Sequence, residues 1–136
     1  MLVPAAIGAA LGLAVFAFAR WQRYDRDASF YPTVLIVIAS YYVLFAVMAG
    51  DRAALVPQLG VALVFATLAV IAGRHAPRLV GIGIALHGLY DLAFHLLGGG
   101  GGVPEWWPPF CGAIDIVLGL AVLGAVAWSG RGERAA

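Results

Sequence analysis

Residues 54–73 read ALVPQLGVALVFATLAVIAG, twenty consecutive positions without a charged side chain. At about 1.5 Å per residue, a helix of that length reaches across the roughly 30 Å apolar core of a bilayer. Inside lipid each segment must satisfy its own backbone hydrogen bonds, which an isolated run does only as an α-helix. Four further apolar runs stand on either side, at 2–19, 33–49, 79–97 and 110–128, separated by charged or Gly/Pro-rich breaks. The expected fold is therefore all-α, a polytopic membrane bundle of about five transmembrane helices (2–19, 33–49, 54–73, 79–97 and 110–128). The connections are too short for a separate soluble unit, so residues 1–136 make a single domain.

Composition leads to the same class. With 63% hydrophobic and 11% charged residues, a 136-residue chain lacks the polar surface that a water-soluble domain needs. Membrane lipid is thus the expected surrounding partner, and a net charge of +1 offers no case for nucleic acid. The single cysteine, Cys111, excludes an internal disulfide and any cysteine-only metal cage. All eight cationic residues are Arg, which with abundant Ala and Gly suits a GC-rich bacterial genome.

The breaks give the topology. Only Gly50, Asp51, Arg52 and Ala53 separate the second and third runs, which predicts a tight helical hairpin with Asp51 capping the third helix. Pro57 is expected in the first turn of that helix, and Pro32 just before the second, where a missing N–H costs little. Arg20, Arg23, Arg26, Arg74, Arg78, Arg131 and Arg134 fall on one side of the bundle and only Arg52 on the other. The positive-inside rule then gives a multi-pass protein of the bacterial cytoplasmic (inner) membrane, N-terminus outside and C-terminus in the cytoplasm. Ala17-Phe18-Ala19 looks like a signal-peptidase site, but cleavage there would leave three arginines outside, so residues 1–19 are expected to stay as a span. That span carries Gly8-x-x-x-Gly12, a surface for close helix approach within the bundle or between copies in a homo-oligomer.

The chemistry concentrates in the fourth run, at His87-Gly-Leu-Tyr90-Asp91-Leu-Ala-Phe-His95. Spacing of four puts His87, Asp91 and His95 on one stripe of a helix, which must face the bundle interior because an intramembrane Asp costs about 3 kcal/mol or more against lipid. Counting from the outer ends of the spans, Asp91 lies roughly 9 Å deep and Asp115 of the fifth run roughly 8 Å, so the two carboxylates are level. Imidazole and carboxylate suit zinc or another divalent first-row metal, and His87, Asp91, His95 and Asp115 are the candidate ligands. His87 and His95 are about 12 Å apart along the axis, too far to grip one ion together. A three-ligand site with an open position activates water, which gives Asp91, Asp115 and His87 candidate catalytic roles. Tyr41, Tyr42, Gln58 and Trp106 belong to the same outer half and are candidate substrate contacts, and Glu105 sits in a glycine- and proline-rich outer connection that reads first as an interfacial aromatic anchor and second as a lid over the site. The inner half has little that is polar beyond Thr67, so the site is expected to open outward.

Phe30-Tyr31-Pro32-Thr33, Tyr41-Tyr42, His87-x-x-x-Asp91 and Val103-Pro104-x-Trp106-Trp107-Pro108-x-Phe110-Cys111 through Asp115 together resemble a family of small bacterial integral membrane proteins without an assigned function. The resemblance covers most of the chain; it implies a shared fold and brings no reaction with it. The histidine spacing is also similar to that of the seven-span, zinc-dependent ceramidase-like hydrolases, but this chain has too few spans and no separate His-x-x-x-His helix. Two functional readings follow. One is an intramembrane His/Asp site that binds a metal or acts on a lipid-like molecule; the other is a carrier of protons or small molecules, or a helix-packing subunit, in which His, Asp and Tyr only tie helices together.

Overall fold

A computed structural model describes residues 1–73 and 75–132, without the side chains of 128–132. Arg74, Arg134 and the Arg131 side chain, used in the charge comparison, lie outside the described residues. Five helices follow in chain order: α1 (Leu2–Trp21), α2 (Phe30–Met48), α3 (Arg52–Ala72), α4 (Pro77–Leu96) and α5 (Trp107–Gly132), with a 3₁₀ turn at Tyr24–Arg26 before α2. Each is long and apolar enough to cross a membrane.

The helices occupy the expected runs, but α2 to α5 start two or three residues earlier. Pro32 is inside the first turn of α2 rather than before it, and Pro108 and Pro109 are inside the first turn of α5. Proline is tolerated there because first-turn N–H groups have no helical acceptor. Pro57 departs the other way. The Asp51 carboxylate accepts from Ala54 N at 3.0 Å and starts α3 at Arg52, which carries Pro57 into the second turn. The α2–α3 hairpin closes through a Schellman motif: Gly50, at φ 65°, donates to Val47 O and Asp51 N donates to Ala46 O. Gly98 and Gly99 end α4 in the same way, on His95 O and Phe94 O.

α4 is the centre of the bundle, touching α5 on one side and the α2–α3 hairpin on the other; among the described residues α1 packs on α5 and on the 3₁₀ turn. Glycine makes the two tight seams. Gly81 and Gly88 of α4 face Gly119 and Gly112 of α5, both pairs seven residues apart, and a Cβ at Gly88 would lie 2.7 Å from Gly112 O. Gly8 and Gly12 of α1 rest on the carbonyls of Phe110 and Ile114, so this glycine face is packed within the chain.

Polarity is distributed inside out. Leu13, Leu44, Leu63, Val64, Ile71 and Leu120 are exposed, whereas His87, Asp91 and Asp115 are fully buried. Such a surface suits lipid and would be an aggregating patch in water. The interior has two layers. Leu35, Ile38, Ala69, Ala72, Val80, Ile84, Leu118 and Val122 form an apolar cluster toward the end that carries the α3–α4 turn. The polar residues of α4 and α5 stack on it toward the 98–106 connection.

Candidate functional site

The site forms on the close glycine seam between α4 and α5. His87 and Asp91 are one turn apart on α4, bracketing Gly88; Cys111 and Asp115 are one turn apart on α5, bracketing Gly112. A Cβ at Gly112 would stand 3.2 Å from the Asp91 Cβ, so the absence of side chains here lets the polar groups meet across the seam. His87 Nδ1 and Asp115 Oδ2 are 2.8 Å apart, and His87 Nδ1 and Asp91 Oδ2 3.8 Å. Donor atoms from all three residues lie within 4.8 Å of one another. With Asp115 ionised, the imidazole Nδ1–H donates to it and leaves Nε2 as a lone-pair acceptor.

The surroundings are aromatic. The Phe65 ring of α3 packs edge-on against His87 at 5.0 Å, and Tyr42 of α2 brings its hydroxyl beside Asp91. Tyr90 stands edge-on to Tyr42 at 5.6 Å and donates from its hydroxyl to Gln58 Oε1 at 2.7 Å. The Cys111 thiol points at Asp115 Oδ2 from 3.9 Å.

Within this shell several polar atoms remain without a hydrogen bond: His87 Nε2, both Asp91 oxygens, Asp115 Oδ1 and the Tyr42 hydroxyl. A buried unpaired polar atom typically costs about 1–3 kcal/mol, and buried charges are found paired or bound to metal. These atoms belong to neighbouring side chains, so the cluster has hydrogen-bonding or ligating capacity that the chain itself does not use. A zinc-type ion with ligands at about 2.1 Å in tetrahedral array holds them about 3.4 Å apart. The 2.8 and 3.8 Å separations from His87 Nδ1 bracket that value and all three ligand atoms lie within 4.8 Å, so an ion here would take the Nδ1 lone pair, with the imidazole proton on Nε2 and the carboxylates rotated to suit.

The expected site residues separate into three groups. His87, Asp91 and Asp115 converge, with Tyr42 beside them. His95 does not join them; it lies one turn further along α4 and lines a different cavity together with Glu105. Tyr41 turns away and stacks on Trp107 at 5.0 Å, because neighbouring helix positions point about 100° apart and only one of the pair faces α4. Gln58 is buried but meets the site only through Tyr90, and Trp106 is exposed, against Phe110 and Trp107. The sequence reading also gave the site an outward opening, whereas the structure seals His87, Asp91 and Asp115 at zero exposure. Closure comes from Tyr42 and Tyr90 with Phe94, which stacks on Tyr42 at 4.8 Å. Tyr90 and Phe94 were not singled out as site residues. The signal for Tyr90 was Gln58, a buried amide in α3 that required a polar partner.

The chain matches no known protein-family model, no curated protein and no solved structure.

Proposed function

We propose that this membrane protein binds one divalent transition-metal ion within the bilayer, zinc in the first instance, through His87, Asp91 and Asp115. The observation that carries the reading is the convergence of three fully buried ligand side chains whose remaining polar atoms are unpaired. Charge supports it. Binding two carboxylates and a neutral imidazole to a divalent cation gives a neutral cluster, which a low-dielectric interior tolerates where Arg20, Arg52 and Arg78 sit at helix ends. The imidazole nitrogen favours zinc and its neighbours over magnesium or calcium, which prefer all-oxygen sites. The Tyr42 hydroxyl beside Asp91 and the Cys111 thiol 3.9 Å from Asp115 Oδ2 are the neighbouring candidates for a fourth ligand. The sealed geometry favours holding the ion over metal-assisted hydrolysis of a lipid-like substrate, for which space beside the metal would be needed.

Protein purified with zinc present and analysed by mass spectrometry for metal should carry one zinc per chain. Asp91→Ala, Asp115→Ala and His87→Ala should lose it, while Tyr41→Phe should keep it. Replacement by Co²⁺ should give the intense visible bands of a four- or five-coordinate site. Metal-free wild-type protein, or full occupancy in Asp91→Ala, would remove the proposal and leave helix tying as the role of these residues.

A further inference from the structure

A second polar space lies directly above the triad. Residues 98–102 arch over the end of α4 with all five glycines at positive φ, a course closed to ordinary side chains. The arch rests on the hairpin: a Cβ at Gly102 would lie 2.5 Å from the Ala49 Cβ, and one at Gly101 2.9 Å from the Ala54 Cβ. Beneath it is a cavity of about 320 Å³ lined by Phe94, His95, Val103, Pro104, Glu105 and Pro108 together with the first glycines of the arch.

The cavity follows the same seam as the buried ligands. On α4, Phe94 and His95 stand three and four residues beyond Asp91, hence on its face and one turn, about 6 Å, nearer the arch. On α5, Pro108, Cys111 and Asp115 repeat the spacing of three and four, so the cavity wall and Asp115 share a face. Phe94 belongs to both spaces, lining the cavity and stacking on Tyr42, whose hydroxyl reaches Asp91. Among the described residues the His95 and Glu105 side chains make no hydrogen bond or ion pair, and below them Asp91 is fully buried, its Oδ2 3.8 Å from His87 Nδ1 and neither oxygen in a hydrogen bond.

We propose that this cavity is the route by which a divalent cation reaches the triad, with the His95 imidazole and the Glu105 carboxylate holding it first and the Phe94 ring closing the way inward. The inference rests on the metal-binding reading of the triad and adds where the ion enters and what retains it. His95 and Glu105 offer nitrogen and oxygen donors, the donor types of the site below, so the ion exchanges like for like over one helical turn. Glu105 also concentrates cations at the mouth, where one sign of charge against low-dielectric walls raises association rates. Phe94 is the ring of the Tyr42–Tyr90–Phe94 group that borders the cavity, so its rotation is the first step of opening.

The test is the rate of zinc loading into metal-free protein in detergent micelles, followed by stopped-flow loss of a fluorescent zinc-indicator signal. Glu105→Gln and His95→Ala should load at least about tenfold more slowly at low salt, the Glu105 effect shrinking as salt rises, and both should still end at one zinc per chain. Phe94→Ala should load and release faster, its dissociation constant changing less than either rate; if Phe94→Ala fails to fold, Phe94→Leu carries the same expectation. Asp27→Asn, at the other end of the bundle, should load like wild type. Wild-type rates in all three cavity variants would overturn the route. So would a loss of final stoichiometry in Glu105→Gln, since Glu105 would then be an equilibrium ligand. Wild-type protein that binds no zinc at all would instead overturn the triad itself, and the route with it.

Discussion

Adding one methyl group to Gly88 should disable the site without touching a ligand. A Cβ there would stand 2.7 Å from Gly112 O, 2.8 Å from Ile116 Cγ1 and 2.9 Å from Ile116 N. Two of these are backbone atoms of α5, which cannot swing aside as a side-chain tip would. Ordinary carbon contacts begin near about 3.5 Å, so α5 must retreat by about 0.6–0.8 Å. Asp115 precedes Ile116 on the same helix and moves with it. The 2.8 Å His87–Asp115 contact then opens to about 3.5 Å, beyond useful hydrogen-bond range. Overpacking of this kind costs about 1–3 kcal/mol. The wider His87–Asp115 distance approaches the roughly 3.4 Å an ion would set, but Asp115 also withdraws from Asp91 across the seam, so the cluster spreads beyond its present 4.8 Å and zinc affinity should fall. Gly60→Ala is the matched control, because nothing lies within 4 Å of a Cβ at Gly60, and it should change stability by no more than about 1 kcal/mol and zinc affinity not at all. Tryptophan fluorescence during titration with sodium dodecyl sulfate reports stability, and competition with a chelator of known affinity reports zinc. If Gly88→Ala bound zinc as tightly as wild type, or Gly60→Ala were equally damaging, the close α4–α5 seam would not be what assembles the triad.

Asp91→Asn keeps the side-chain shape and removes the carboxylate; zinc should be lost while metal-free stability holds or rises, since the buried Asp91 oxygens have no hydrogen bond to lose. Asp51→Ala removes the α3 cap, and should lower stability by about 1 kcal/mol with zinc stoichiometry intact. The Ser29 hydroxyl and backbone N–H both donate to Asp27 and hold its carboxyl below the ordinary carboxylate range. Because the folded value is the lower one, this turn is stabilised above the unfolded pKa of about 3.9 and loses that support as pH falls through the folded value; acid should therefore speed proteolysis of the α1–α2 connection in wild type and not in Asp27→Asn. In a Cys111→Ala background, cysteine at Gly100 should react with an impermeant maleimide from outside intact cells and cysteine at Arg23 only after lysis; the reverse pattern would invert the orientation drawn from the arginines.

Much of the bundle was legible because lipid imposes one simple rule, uninterrupted apolar length, and each of the five runs obeys it. Helix starts were less legible. Pro32, Pro108 and Pro109 look like breakers in a sequence, yet a proline in a first turn belongs to the helix, and local composition does not say which turn it occupies. Asp51 was readable as a cap because its chemistry acts over three residues. The level depth of Asp91 and Asp115 was readable too, since depth follows from rise per residue alone. Rotation about each helix axis was not. In water an apolar stripe tells which face turns inward, but here both the core and the solvent are apolar, so Tyr41 and Tyr42 look equivalent until α4 is placed beside one of them.

With apolar periodicity silent, helix rotation must be fixed by the few residues for which lipid and protein differ. Those are the glycines, which admit a backbone only at one angle, and the ionisable groups, which lipid rejects. On α4 and α5 the two sets interleave: Gly88 lies between His87 and Asp91, Gly112 between Cys111 and Asp115. The residues that orient the central helices are thus the ones that form the candidate ligand cluster, and the site is a consequence of how the bundle selects its register. Truncation to Ala cannot separate the two roles, because it removes the group that orients the helix along with the group that binds. Substitutions that keep volume and hydrogen bonding while removing charge do separate them. If Asp91→Asn and Asp115→Asn fold like wild type and hold no metal, the carboxylates are there for the ion. If both fold poorly whether or not metal is present, they are there for the helices.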